Sequence, residues 1–219
     1  MTKEVRNMNE WEPTTTDIKS VDWKGNPILI TKVPAKRDSK TGKVRVNPIE
    51  VARAEARQIA EDLGLEERDI PLFLLLYAKP GPFQAGYLCE KNKINKMLFY
   101  IWKELEKEGL GEAFPHDEFE AKKNGPVPKH LFDDFDRLGR LSLISVEGGR
   151  TQKKHVSVNL TKKGETVAAQ LWNRVPDPYL AAASRVKDWL FPLDPETIMQ
   201  RVHREFPRFR KTYIEPDVE

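Results

Sequence analysis

The residue types that most often carry catalysis or bind metals are few in this sequence and widely spaced. The four histidines are His116, His130, His155 and His203, and no two of them form an H-x-x-x-H pair. The sequence also has no C-x-x-C pair, so it contains no common metal-binding motif. Cys89 stands beside an amphipathic stretch, which is typical of packing rather than of a nucleophile. Asp133 and Asp134 would point about 100° apart on a helix, which is poor geometry for shared acid–base work. No glycine-rich segment carries the Gly-Lys-Ser/Thr of a phosphate loop. We therefore expect no enzyme, no metal and no cofactor.

Basic residues give a clearer signal, because they gather in two acid-poor segments. From Lys24 to Arg45 there are seven lysines and arginines and one acid, Asp38. From Gly148 to Gly164 there are five basic residues and no acid. Such segments can contact nucleic-acid phosphates, although a solvated edge hairpin or a polar hairpin tip would have the same composition. The candidate contacts in them are Lys36, Arg37, Lys40, Lys43, Arg150, Lys153, Lys154, Lys162 and Lys163.

Composition limits where such binding could come from. The net charge is only +3 over 219 residues, so local patches rather than a global field must attract a polyanion. No run of about 18 apolar residues predicts a membrane span, and the first residues lack the apolar core of a signal peptide. With its single cysteine, the chain fits a reducing, cytoplasmic setting, and its Lys/Arg/Glu richness would suit a heat-loving source.

Hydrophobic periodicity predicts mainly helices. Asn47-Pro48 begins one that ends at Gly64, the apolar run Ile70–Ala78 favours a second, and Lys91–Glu108 carries a clear core-facing stripe. Two short strands before residue 47 predict a β-hairpin around the turn at 38–42. Two final helices are predicted to start at Asp177-Pro178 and Asp194-Pro195.

The segment Gly125-Pro126-Val127-Pro128 is predicted to be a turn between two helices. Asp117–Lys123 would be the first helix, and the second would bury Leu131, Phe135 and Leu138. The alternating runs LSLISVE and HVSVNL then predict a hairpin with a basic tip, followed by a helix capped by Thr161. This order predicts a mainly α fold with a small β component: a winged helix-turn-helix core with an N-terminal β-hairpin and C-terminal helices. We expect a basic extension at 1–46, a winged-helix domain at 47–176 and a helical extension at 177–219.

The helix after this turn argues against simple reading of a DNA groove. It offers Lys129, Arg137 and Arg140, but three acids stand among them, namely Asp133, Asp134 and Asp136. Carboxylates that face a phosphate-lined groove would be repelled. Either the acids point sideways or this helix does not read DNA.

Three motifs resemble a known family. KINKMLFY (93–100), FEAKKNGPVPKHLFDDF (119–135) and LTKKGE (160–165) resemble the Panacea (SocA-like antitoxin) domain and its YwgA-like winged-helix relatives. The residues that carry the likeness are Gly125, Pro126, Val127, Lys96 and Tyr100, whereas Lys122 and the basic extension depart from the pattern. The resemblance implies a winged-helix-like fold without a catalytic site, and members that neutralise toxins by protein contact.

Two functions therefore follow as expectations. The first is a non-enzymatic regulator, such as a transcription factor, that binds double-stranded DNA through the basic wing and N-terminal hairpin. The alternative is an antitoxin-type module that binds a toxin-like protein. The sequence leaves the target and the oligomeric state open, a homodimer being one option.

Overall fold

The structure, a computed structural model, describes residues 11–21, 27–78, 89–111, 119–122, 125–147 and 156–209. The α-helices in these residues are α1 (Pro48–Asp62), α2 (Ile70–Tyr77), α3 (Lys91–Lys107), α4 (Leu131–Arg140), α5 (Lys162–Trp172), α6 (Asp177–Leu190) and α7 (Pro195–Glu205). The strands are β1 (Trp11–Val21), β2 (Pro27–Asp38), β3 (Val44–Val46), β4 (Cys89–Glu90), β5 (Phe119–Lys122), β6 (Gly125–Pro128), β7 (Ile144–Glu147) and β8 (Ser157–Leu160). The fold is thus mixed, with small antiparallel sheets and longer strands than the small β component that the sequence predicts.

Helix α3 lies in the middle of the main core. Ile94, Met97 and Leu105 on it are fully buried. Its Phe99 ring makes edge-on contacts with Phe206 and with Phe209, which follow α7, at centroid distances of 5.0 and 4.9 Å. All residues of the predicted stripe are buried, namely Ile94, Met97, Leu98, Ile101, Trp102 and Leu105, so the expectation that it is core is confirmed.

The helix start signals are confirmed where capping side chains carry them. The side chain of Asn47 accepts from the backbone N–H of Ile49 at 3.0 Å, and Asp194 accepts from that of Thr197 at 2.9 Å. The hydroxyl of Thr161 accepts from the N–H of Gly164 at 3.0 Å. These bonds satisfy N–H groups that the first helical turn leaves without partners.

The predicted turn at Gly125–Pro128 is wrong, because this segment is strand β6. It pairs antiparallel with β5, with Ala121 opposite Pro126 and Phe119 opposite Pro128. The helix predicted over 117–123 is therefore a strand in its described part, residues 119–122. A β-hairpin, rather than the turn of a helix-turn-helix, precedes α4.

The second predicted hairpin is confirmed over its two strands. β7 pairs with β8, with Ile144 opposite Leu160, and β4 adds to the other edge of β8. The start of helix α5 then packs closely against the backbone just before β7, since a Cβ on Gly164 would lie 1.8 Å from the carbonyl oxygen of Leu143. The hairpin tip, residues 148–155, lies outside the described residues.

The N-terminal sheet has the order β1-β2-β3 and packs on α1. The predicted strands correspond to β2 and β3, and β1 adds a long strand that the sequence reasoning missed. A small core of Ile30, Val33 and Ala54 holds the sheet against the helix, apart from the main core. Gln58 of α1 accepts from the N–H of Thr31 and donates to the carbonyl of Leu29, which fixes the two elements together.

The C-terminal helices contribute to the same core as α3. Tyr179 and Ala183 of α6 and Ile198 and Val202 of α7 are all buried within it. The division of the chain at residues 46 and 176 stays a prediction.

Candidate nucleic-acid interface

In the turn between β2 and β3 the basic side chains are exposed, whereas the acidic side chain is buried. Lys40 and Lys43 are exposed, whereas Asp38 is only 4% exposed. The carboxylate of Asp38 accepts from the backbone N–H of Thr41 at 2.8 Å and of Lys40 at 2.9 Å, and these bonds lower its pKa. Because the side chain of Asp38 is folded against the turn, the surface of this tip is positive.

The register of the sheet sorts the remaining cations onto two faces. Lys36 lies opposite Pro13 of β1 and Arg45 of β3, and directly opposed residues share a face. Arg37, one residue on, points to the other face, where Glu12 lies opposite it. The face of Lys36 and Arg45 is therefore the more basic one.

An aromatic residue lies on the same face as Lys36. The guanidinium carbon of Arg45 lies 4.6 Å from the ring centre of Trp11, within cation–π range. A groove of about 660 Å³ lies on this sheet, and its lining residues include Trp11, Pro13, Lys36 and Arg45. Neither Trp11 nor Arg45 is among the contacts chosen from the sequence, and only the alternation in β1 could have indicated that Trp11 belongs to this sheet.

The β7–β8 hairpin, which the sequence analysis predicts to be a wing, is described only at its base. Lys162 and Lys163 are exposed in the first turn of α5, and the Lys163 ammonium donates to the carbonyl of Leu141 at 2.9 Å. At the far end of that helix, Arg174 pairs with Asp62 of α1 at 2.6 Å. The basic tip residues Arg150, Lys153 and Lys154 lie outside the described part of the chain.

Helix α4 uses its central arginine inside the protein. The guanidinium of Arg137 contacts a carboxylate oxygen of Asp69 at 2.5 Å, of Glu66 at 3.2 Å and of Asp134 at 3.5 Å. Arg68 also reaches Asp134, at 3.0 Å. Burial raises the pKa of Asp69, which is 1% exposed, and of Asp134, although the arginines oppose the shift. This network ties α4 to the short 3-10 helix Glu67–Asp69 that precedes α2.

The network explains part of the acidity of α4. Asp134 faces the interior, whereas Asp133 and Asp136 are exposed together with Lys129 and Arg140. Two exposed carboxylates on one helix still disfavour an approach to phosphates. The basic candidate Arg137 is thus committed to ion pairs within the protein.

The residues that carry the family resemblance are internal and lie close together. Lys96 is 2% exposed, and its ammonium has no hydrogen-bond partner among the described residues. A Cβ on Gly125 would lie 3.6 Å from Cε of Lys96, so the two motifs meet, and Pro126 is buried beside them. Burial and the nearby Lys91 charge lower the pKa of Lys96 to about 8. One turn on, the Tyr100 hydroxyl donates to Glu205 at 2.8 Å, and Val127 is half-buried in the same hairpin.

The described residues contain neither a metal-binding cluster nor a helix suited to span a membrane. No cluster of His, Cys, Asp and Glu there could hold a metal ion. Nor does any helix in the same residues have both the length and the apolar character needed to cross a membrane.

Comparison with known proteins adds no assignment. No model of a known protein family matches the chain, and no curated protein matches it either.

Proposed function

We propose that this protein is a non-enzymatic regulator that binds nucleic acid, with duplex DNA as the expected target. The contacts are made by the N-terminal sheet and by the wing between β7 and β8. The observation that carries the proposal is the β2–β3 turn, where lysines are exposed while the only acid, Asp38, is withdrawn against the backbone. Such a surface attracts phosphates with little local repulsion.

A winged-helix arrangement of the core, which we propose for these elements, would support this function. The order α2, β4, α3, α4, β7, β8 places a helix directly before a two-stranded wing, and β4 completes a three-stranded sheet with it. The β5–β6 hairpin between α3 and α4 takes the place of a short turn. In this arrangement α4 would be the helix that reads the groove.

The composition of α4 moves the expected contacts away from that helix. Arg137 is held by three carboxylates, and Asp133 and Asp136 are exposed. The wing tip that the sequence predicts to carry Arg150 and Lys153, together with the N-terminal sheet, is then the surface proposed to approach phosphates. Contacts of this kind give affinity and register rather than strong sequence preference.

The test is a fluorescence anisotropy titration of a labelled mixed-sequence duplex at several salt concentrations. The double variant Lys40→Gln with Lys43→Gln should weaken binding about tenfold and lower the salt dependence by about one unit of slope for each lost phosphate contact. The pair Arg150→Gln with Lys153→Gln should act in the same direction.

A matched control removes the same charge elsewhere. Lys107 on α3 and Lys122 on β5 are exposed, so Lys107→Gln with Lys122→Gln changes the net charge equally. This control should bind as the unaltered protein does. Equal losses in all three variants would mean a global charge effect, and no binding at micromolar protein would leave the toxin-binding alternative as the leading function.

A further inference from the structure

The groove on the N-terminal sheet has a floor that duplex binding does not require. Its lining includes several flat or apolar residues, among them Trp11, Pro13 and Pro34. Its volume of about 660 Å³ lies within the range of about 300–1,000 Å³ that small-ligand sites occupy. Phosphate binding alone would need only cations at the surface, so the apolar floor indicates a second kind of contact.

Cations lie beside this floor. Lys36 and Arg45 oppose each other across β2 and β3, and the guanidinium of Arg45 covers the Trp11 ring from one side at 4.6 Å. The acid that also lines the groove, Glu50, contacts Arg53 at 3.4 Å, which offsets its charge. The groove therefore combines an aromatic ring with a positive rim.

We propose that the groove binds a single-stranded segment of nucleic acid, with an unpaired base stacked at Trp11 and the adjoining phosphates contacting Lys36 and Arg45. Bases in a duplex are already stacked on each other, whereas an unpaired base has a free face for an aromatic side chain. Arginine adds a cation–π contact to such a stack. This inference rests on the proposed nucleic-acid binding and specifies which form of nucleic acid, single-stranded rather than duplex, the groove binds.

The experiment titrates the full chain into labelled oligothymidylate, oligouridylate and a mixed-sequence duplex, by fluorescence anisotropy at one salt concentration. Trp11→Ala should weaken binding of the single strands about tenfold or more and leave duplex binding within about twofold. Trp11→Phe, which keeps a ring, should stay within about threefold of the unaltered protein. Whether thymidylate or uridylate binds more tightly then distinguishes DNA from RNA.

A second measurement guards against misfolding of the Trp11 variants. An oligonucleotide that carries iodouracil, irradiated in complex with the unaltered protein, should crosslink to the peptide containing Trp11, as located by mass spectrometry. Lys36→Gln should weaken single-strand binding more than Lys19→Gln, which removes an equal charge from an exposed position of the same sheet.

Other outcomes overturn the inference in distinguishable ways. Duplex binding with no effect of Trp11→Ala on single strands and no crosslink at Trp11 would overturn base stacking and leave the proposed function intact. Absence of binding to all three nucleic acids would overturn both. Heparin has no bases, so heparin binding that depends on Trp11 as strongly as oligothymidylate binding does would show a general polyanion site.

Discussion

The ammonium group of Lys96 lies in the protein interior, and none of the residues that the structure describes accepts a hydrogen bond from it. Removing a charge from water costs free energy unless a partner replaces the lost hydration. Lys91 lies near enough to add repulsion. Lys96 therefore destabilises the folded state in its charged form.

Lys96→Met should raise the free energy of unfolding by about 2 kcal/mol near neutral pH, because it keeps the side-chain volume and removes the charge. The folded-state pKa, about 8, lies below the ordinary 10.5, so the folded state loses its proton first as pH rises. The unaltered protein should therefore gain stability between pH 8 and 10.5, and the advantage of the variant should shrink there. Urea unfolding of both proteins across this range measures the difference; an advantage that does not change with pH would contradict this view.

Arg137 has the opposite role, since it compensates buried acids. Without it, the carboxylate of Asp69, which is 1% exposed, would lose its closest cation. Arg137→Ala should lower the free energy of unfolding by about 3 kcal/mol, as breaking a buried ion pair does. Arg140→Ala on the same helix is the control and should change it by less than about 0.5 kcal/mol, because Arg140 is exposed. Chemical denaturation measures both, and equal effects would mean that the network adds nothing.

At the scale of elements, the β5–β6 hairpin shows how local signals can mislead. Gly-Pro commonly ends a helix, and a stretch as short as Phe119–Lys122 has too few residues to reveal its periodicity. The two prolines of β6 are two residues apart, so their missing N–H groups lie on one side of the strand. The other side can still pair with β5, which is why the segment is stable as a strand.

Gly125 is required by the backbone of this hairpin. Its φ is +91°, while the nearest side-chain atoms would lie 3.6 to 3.7 Å from an added Cβ, an ordinary contact distance. Gly125→Ala should therefore lower the free energy of unfolding by about 1–2 kcal/mol through backbone strain rather than collision. Gly139→Ala, within α4 and with open space around it, should raise it by up to about 1 kcal/mol. Thermal unfolding should give opposite signs, and two losses would argue against the hairpin geometry.

Elements with strong local signals were predictable. The caps at Asn47, Thr161 and Asp194 and the stripe of α3 follow from side chains that act within a few residues. The pairing of β1 with β2 and the contact between Trp11 and Arg45 depend on residues far apart in sequence, and the sequence reasoning missed them. The basic turn at Lys40 and Lys43 was predictable from composition, but the burial of the Asp38 side chain against the backbone of this turn was not.

At the scale of the whole molecule, the N-terminal sheet packs on a small core of its own, whereas the β7–β8 hairpin and α4 belong to the main core. The N-terminal sheet rests on α1 through the small core of Ile30, Val33 and Ala54, whereas α3, α6 and α7 share the main one. Changes at the surface of the sheet should therefore alter binding without unfolding the rest. The same separation makes the sheet and α4 distinguishable as contact surfaces.

Hydrogen–deuterium exchange of the full chain with and without nucleic acid identifies which surface binds. The probes are the labelled duplex and oligothymidylate, each at saturating concentration. We predict slower exchange of backbone amides in β2 and β3, including the turn at Lys40 and Lys43, with little change in α4. Protection confined to α4, or no protection in either region despite saturation, would contradict the account.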